Sequence, residues 1–394
     1  MQNDTAVAAS PRTGGRFEAL DALRGVAATS VVLFHVQWVS VFDKISLIKN
    51  AWLFVDLFFV LSGFVIAYTY ADKLRTIRSD VMPFVAKRLA RIYPLHFVML
   101  FAFLALECAK GLAFQYANVR GDLVPFSINN ADTFIKNLLL IHSLHTYDVL
   151  TWNVPSWSIS VEFAVYLVFA IVAVAARGSP KALTVLSAAM VALAFAALLW
   201  FAPGRGLHVD VDFGFLRCVF GFFLGVLTFL AWRGAQGRIS VSSGLADSIQ
   251  IACLILCFAT IALFGEKPAW QFTVPVASAL CILSLSLWAN TATTRVLTVA
   301  PLRRLGQLSF ALYMGHYFVL VVVNNLLRVV HLNRFGPVAA MVIGTVLAVL
   351  CVAAAIQLAS VLNRYIENPC VKAGARWLRS GESRRLSAMK EPVQ

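Results

Sequence analysis

Ten runs of apolar residues, each about twenty residues long, lie at 20–41, 52–71, 92–108, 157–176, 182–202, 213–232, 248–265, 269–289, 308–330 and 337–361. A helix advances about 1.5 Å per residue, so each run can cross the roughly 30 Å of a bilayer's hydrocarbon. A backbone in hydrocarbon must satisfy its own polar groups, and a helix does this within one segment. The pattern therefore predicts an all-α polytopic integral membrane protein with about ten transmembrane helices. Composition agrees: 60% of the 394 residues are hydrophobic and 13% are charged, against about 25% charged in ordinary soluble domains.

The net charge of +14 would suit a nucleic-acid partner, but the placement of the charges argues against one. With the N-terminus inside, 22 of the 33 lysines and arginines fall on inner segments and nine on outer ones, while Arg24 and Arg217 lie within runs. That asymmetry follows the positive-inside rule, with both termini cytoplasmic. The partner this charge implies is the lipid bilayer, not a polynucleotide. Three parts follow: an N-terminal arm over 1–19, a membrane domain over 20–370, and a basic tail over 371–394, expected to be surface-bound or disordered. The first run holds Arg24 and His35 and no small-residue cleavage site follows its apolar part, so it does not read as a cleaved signal peptide. Most of the seven cysteines lie inside runs, where cysteine behaves as a small apolar residue, and no metal site is expected.

Chemistry is concentrated in three places. In "LDALRGVAATSVVLFHVQW" (20–38), Arg24 and His35 are eleven residues apart. At about 100° per residue they share one helix face, separated by about 16 Å of rise. That face offers a fixed cation near the inner surface and a titratable base deep in the membrane. In "FVAKRLARIYP" (84–94), Lys87, Arg88 and Arg91 lie on an amphipathic helical stretch from Pro83 to Tyr93. Arg88 and Arg91, three apart, converge as a bidentate phosphate site would require, although basic residues here also suit anionic lipid.

The third place is "TWNVPSWSISVEFAVYL" (151–167), where Asn153, Ser156, Trp157 and Ser158 precede Glu162. The tryptophans suit an interfacial aromatic belt, whereas an intramembrane carboxylate needs a partner or a task. Glu162 is a candidate to orient His35 in a proton-handling dyad. Asp56 and Arg217 are candidates to pair, His316 is a further polar group in a run, and Gly221 and Gly225 have helix-packing spacing. The apolar stretch at 134–144 is too short to span and is expected to be re-entrant or interfacial.

Seven segments in order, "LDALRGVAATSVVLFH", "VDLFFVLSGFVI", "FVAKRLARIYP", "NVPSWSISVEFAVY", "FLRCVFGFFLG", "LGQLSFALYMGH" and "YIENP", resemble the acyltransferase-3 family of membrane O-acyltransferases over residues 17–370. Phe310 and Met314 depart from residues common in that family. The resemblance implies transfer of an acyl group, expected to be acetyl, from cytoplasmic acyl-CoA to a hydroxyl of a carbohydrate or small-molecule acceptor, in a bacterial inner membrane. It implies no metal. The donor's phosphates would lie on Arg24, Lys87, Arg88 and Arg91, with His35, Glu162 and Arg24 as the catalytic set. His35 would be the general base. Asn153, Ser156, Trp157, Ser158 and His316 would be the acceptor side. The chain ends soon after Pro369, so transfer is expected within the membrane core. A proton-coupled transporter is the alternative that intramembrane Arg, His and Glu also allow.

Overall fold

The computed structural model describes residues 6–8, 17–116, 124–330 and 336–388. Its helices are α1 (Glu18–Phe34), α2 (Ser46–Lys49), α3 (Phe54–Tyr70), α4 (Met82–Tyr116), α5 (Ala131–Leu138), α6 (Trp157–Ala175), α7 (Pro180–Phe201) and α8 (Gly214–Ala235). They continue with α9 (Ser243–Phe264), α10 (Pro268–Gln271), α11 (Thr273–Leu287), α12 (Ala292–Leu297), α13 (Ala300–Val330), α14 (Pro337–Leu362) and α15 (Asn368–Ala388). Strands β1 (Ala6–Ala8) and β2 (Ser240–Ser242) form one small antiparallel pair. Among the described residues, nine helices are long and apolar enough to cross a membrane. The protein is thus an all-α polytopic membrane protein.

The first expected span differs from its run. Helix α1 stops at Phe34 and is 17 residues long, with His35 as its C-cap. Beyond it Trp38 leaves the helix to donate its indole N–H to the Gly344 carbonyl at 2.8 Å, and Ser40 and Asp43 cap a short 3₁₀ turn at Val41–Lys44. The polar residues after His35 are satisfied outside a helix, so the run's apolarity overstates its helical length. The basic stretch before Pro94 is the opposite case. It is continuous with the span that follows, and Pro94 sits inside α4. In 134–144, α5 ends at Leu138, and Leu140 takes a positive φ of 57°. The basic tail is helical as far as Ala388. A Cβ added at Gly374 would lie 2.6 Å from the Ala90 Cβ, so α15 lies close on α4.

Two glycine seams position the interior. On α1 a Cβ at Gly25 would lie 2.6 Å from the Gly306 nitrogen of α13, and one at Gly306 would lie 2.3 Å from the Asp21 carbonyl oxygen. No side chain fits between these backbones, so α1 and α13 run side by side, bringing Arg24 to Ser309 and His35 to His316. On the second seam, a Cβ at Gly63 would meet the Phe222 carbonyl and one at Gly225 the Val60 carbonyl. That contact between α3 and α8 brings Asp56 to Arg217. Small residues that let backbones meet are how helices associate where no hydrophobic force separates them from lipid.

Candidate active site

Two cavities lie back to back and share Val55 and Tyr313. The inner cavity, about 150 Å³, lies among the first turns of α1, α4 and α13 and reaches the middle of α3 and α6. Arg24, Arg88 and Arg91 line it together with Ser62, Glu162, Tyr166 and Ser309. The outer cavity, about 440 Å³, is lined by His35 at the far end of α1, by Trp52 and Trp157, and by Lys49, His208, Asp210, Arg217 and Glu266. Arg24 and His35 therefore share one helix but face different chambers.

The three inner arginines are not equivalent. Arg24 donates through Nε to Ser309 Oγ at 2.8 Å and pairs with Asp21 at 2.8 Å. Arg91 pairs with the buried Glu367 at 3.2 Å and lies over the Phe310 ring. Arg88 donates to the Tyr70 hydroxyl at 3.2 Å and lies over that ring, and its buried Nε has no partner. A buried guanidinium N–H left unmatched is costly unless something accepts from it, so Arg88 is the inner-cavity arginine with a donor to spare. Lys87 is exposed and does not line the cavity.

Glu162 and His35 are not partners. The Glu162 carboxylate accepts from the Tyr166 hydroxyl at 2.6 Å, and Tyr166 in turn meets Ser62 at 3.1 Å. The neighbour of His35 is His316, whose Nε2 lies 3.3 Å from His35 Nδ1. The residues before Glu162 scatter. Asn153 donates to the Met314 carbonyl and Ser156 meets His142 Nε2, and neither lines a cavity. Trp157 lines the outer chamber. Ser158 lines the inner one, 2.9 Å from the Tyr313 hydroxyl, which also donates to the Pro155 carbonyl at 3.1 Å. His316 is wholly buried behind His35.

Asp56 and Arg217 do pair, and their effect is felt at the outer cavity. Arg217 makes a fork to both Asp56 oxygens at 3.0 and 2.7 Å, and its third arm donates to the Leu207 carbonyl at 2.8 Å. The guanidinium carbon stands 5.0 Å from the Trp52 ring centre and 5.3 Å from that of Trp157. Cation–π attraction of this kind holds two indoles as walls. Trp52 also carries His208 at a ring separation of 3.9 Å. At the cavity's edge Lys49 pairs with Glu266. Among the described residues, no group of three or more His, Cys, Asp or Glu could hold a metal ion.

Sequence reasoning overlooked Tyr313, Trp52 and Ser309; it did single out "HVDVD" (208–212), whose His208 and Asp210 line the outer chamber. Tyr313 lies three residues before His316, within the same quoted motif. A tyrosine in an apolar helix reads as packing, so only its position at the junction of two chambers distinguishes it. Trp52 reads as belt for the same reason.

The pattern of the acyltransferase-3 family, described as an acyltransferase domain, matches residues 17–357. The chain is 28% identical over 386 residues to the acyltransferase MdmB of Streptomyces mycarofaciens, covering 91% of this chain and 92% of that one. It is 24% identical to the O-acetyltransferase OatA of Staphylococcus aureus, over 90% of this chain but 57% of that longer protein. It is 25% identical to the putative membrane-bound transacylase BcsY of Komagataeibacter xylinus, over 78% of this chain and 74% of that one. No solved structure matches. With its helical membrane fold and a family match spanning nearly its whole length, the chain belongs to the acyltransferase-3 family and is an integral membrane acyltransferase.

Proposed function

We propose that the protein is an O-acyltransferase of a bacterial inner membrane that takes an acetyl group from acetyl-CoA at the inner cavity and passes it to a carbohydrate hydroxyl in the outer cavity. The observation that carries this reading is the meeting of two chambers of unlike chemistry at Val55 and Tyr313. Arginines suit a polyanionic donor, with Arg88 taking the largest share of its phosphates and Arg24 and Arg91 the rest. The narrow pantetheine arm extends toward the junction, where Glu162 can accept from its amide N–H groups. Indole walls beside polar groups suit a sugar ring, which presents an apolar face and polar edges.

The acceptor hydroxyl gives its proton to His35 as its oxygen attacks the thioester carbonyl. The tetrahedral intermediate collapses by breaking the C–S bond, and His35 returns the proton to the departing thiolate. The tetrahedral oxyanion needs donors nearby, and Tyr313 and Ser158 at the junction are the nearest hydroxyls.

The test is acetyl-CoA binding to the detergent-purified protein by calorimetry, for wild type and Arg88→Ala/Arg91→Ala. Transfer of labelled acetyl to a panel of bacterial oligosaccharides follows. Saturable binding that the double variant loses, with label appearing as an ester, supports the reading. A folded protein that binds no CoA and supports proton flux would replace it with a transporter.

A further inference from the structure

We propose that His316 is the positioning residue of His35: it holds that ring as the Nδ1–H tautomer, so that the bare Nε2 faces the outer cavity. The inference rests on the reading of His35 as the general base and extends it to a residue outside the reacting set. It follows from three hydrogen bonds and one rule, that a backbone carbonyl can only accept.

His35 Nδ1 lies 2.9 Å from the Val31 carbonyl oxygen, so Nδ1 carries the hydrogen. His316 Nδ1 lies 3.1 Å from the Leu312 carbonyl oxygen, so Nδ1 carries the hydrogen there too. In a neutral ring this leaves His316 Nε2 bare, and that atom is the one 3.3 Å from His35 Nδ1. The His35 hydrogen is therefore shared between the Val31 carbonyl and the His316 ring, and the chain of donors runs in one direction. His35 Nε2 remains. It has no partner among the described residues, it is not sealed from solvent, and His35 lines the outer chamber. Its lone pair is the one a hydroxyl in that chamber would meet.

The pair does what a carboxylate–imidazole pair does, without the charge. When Nε2 takes a proton the ring becomes a cation, and its Nδ1–H becomes a stronger donor to the waiting His316 Nε2. A carboxylate in that place would stabilise the cation more but would be a buried charge in every other state. A neutral imidazole stays compatible with an apolar interior. Position supports the role: His316 is wholly buried, and its helix is held against α1 by the Gly25–Gly306 contact. The spacing is therefore set by backbone rather than by flexible side chains.

The test uses the full chain in detergent, labelled with ¹⁵N-histidine and with the His35 signals identified by their loss in His35→Asn. In wild type, His35 is expected to show a protonated Nδ1 and a bare Nε2. His316→Leu removes one of the two acceptors at Nδ1 and leaves the Val31 carbonyl, which also takes the backbone N–H of His35, so it is expected to loosen the preference and give a mixture of His35 tautomers. It should also slow acetyl transfer roughly 10- to 100-fold, a part of what general-base catalysis typically supplies, with acetyl-CoA binding unchanged. His316→Gln, whose amide oxygen can occupy the place of Nε2, is expected to restore the single tautomer and most of the rate. If the leucine variant does not fold, His316→Asn replaces it, since its amide falls short of His35.

A wild-type His35 protonated on Nε2, or one tautomer unchanged in wild type and leucine or asparagine variants, overturns the proposal. So does a glutamine variant that folds but behaves as leucine does. Failure of the parent reading looks different: His35→Ala would keep transferring acetyl, or wild type would bind no acetyl-CoA, while the tautomer result stood.

Discussion

The inner and outer chambers meet at the same two residues, yet they hold their charges in different ways. In the inner one, Arg24 pairs with Asp21 and Arg91 with Glu367, whereas Arg88 meets only the Tyr70 hydroxyl and keeps a buried Nε–H with no partner among the described residues. In the outer one, each of the arginine's three nitrogens already donates, two to Asp56 and one to the Leu207 carbonyl, and the group acts on its neighbours as a fixed cation under two indoles. The same residue type lines one chamber with a donor to spare and supports a wall in the other. What differs is how many of its donors are already used. A guanidinium with an unpartnered nitrogen is suited to take an anion, and one whose nitrogens are all engaged is better suited to organise what surrounds it.

Substitutions can break that comparison or sharpen it. The largest effect is expected at His35 in the outer chamber: on the proposed general-base role, His35→Ala should lower the transfer rate by on the order of 10²–10⁴-fold while calorimetry still shows acetyl-CoA binding. Loss of donor binding in that variant would merge the two chambers into one site. Next is the buried pair. Arg217→Met alone strands Asp56 and should cost about 3–5 kcal/mol in detergent unfolding, and Arg217→Met/Asp56→Leu should recover most of it. The double variant should still show weaker acceptor use, because the indoles lose their cation.

Arg88→Ala should weaken acetyl-CoA binding roughly 10- to 100-fold, as loss of about 1.5–3 kcal/mol of charge-assisted hydrogen bonding requires. Arg91→Ala should do less, since Glu367 already competes for it. The reverse order would mean that spare donors are not what makes a ligand here. Trp52→Ala should raise the acceptor KM about 3- to 10-fold, the scale of one aromatic contact, and leave the donor's dissociation constant alone. Smallest is Lys49→Ala at the outer rim. The exposed pair with Glu266 contributes under about 1 kcal/mol, so stability should barely move.

Much of this arrangement was legible because membrane burial is written in runs of apolar residues. Nine of the ten expected spans are helices of sufficient length among the described residues, and the tenth is the shorter α1. Six of the seven ordered segments lie within the family match over 17–357, and "YIENP" (365–369) lies beyond it. The misreadings have a common cause. Hydropathy reports where a chain prefers to be, not where its helix stops, so Trp38 and Ser40 passed for helix. Spacing along one helix told that Arg24 and His35 share a face, but could not tell that the face crosses from one chamber to the next. Glu162 was the natural partner for a deep histidine because both are polar in an apolar setting. Yet Glu162 lines the inner chamber against Tyr166, and His316, from a helix nearly three hundred residues away, fills the place beside His35.

By itself, then, the sequence determined the class of solvent, the helical architecture, the family, and which polar residues stand in hydrocarbon at a cost that demands a reason. It determined these because each depends on local composition and short-range period. Only the tertiary structure decided the partners: Arg91 with Glu367, Arg217 with Asp56, His35 with His316, and Tyr313 between two cavities. Those pairings depend on which helix backbones can touch. That is set by where Gly25 meets Gly306 and Gly63 meets Phe222, contacts between segments that no local pattern connects.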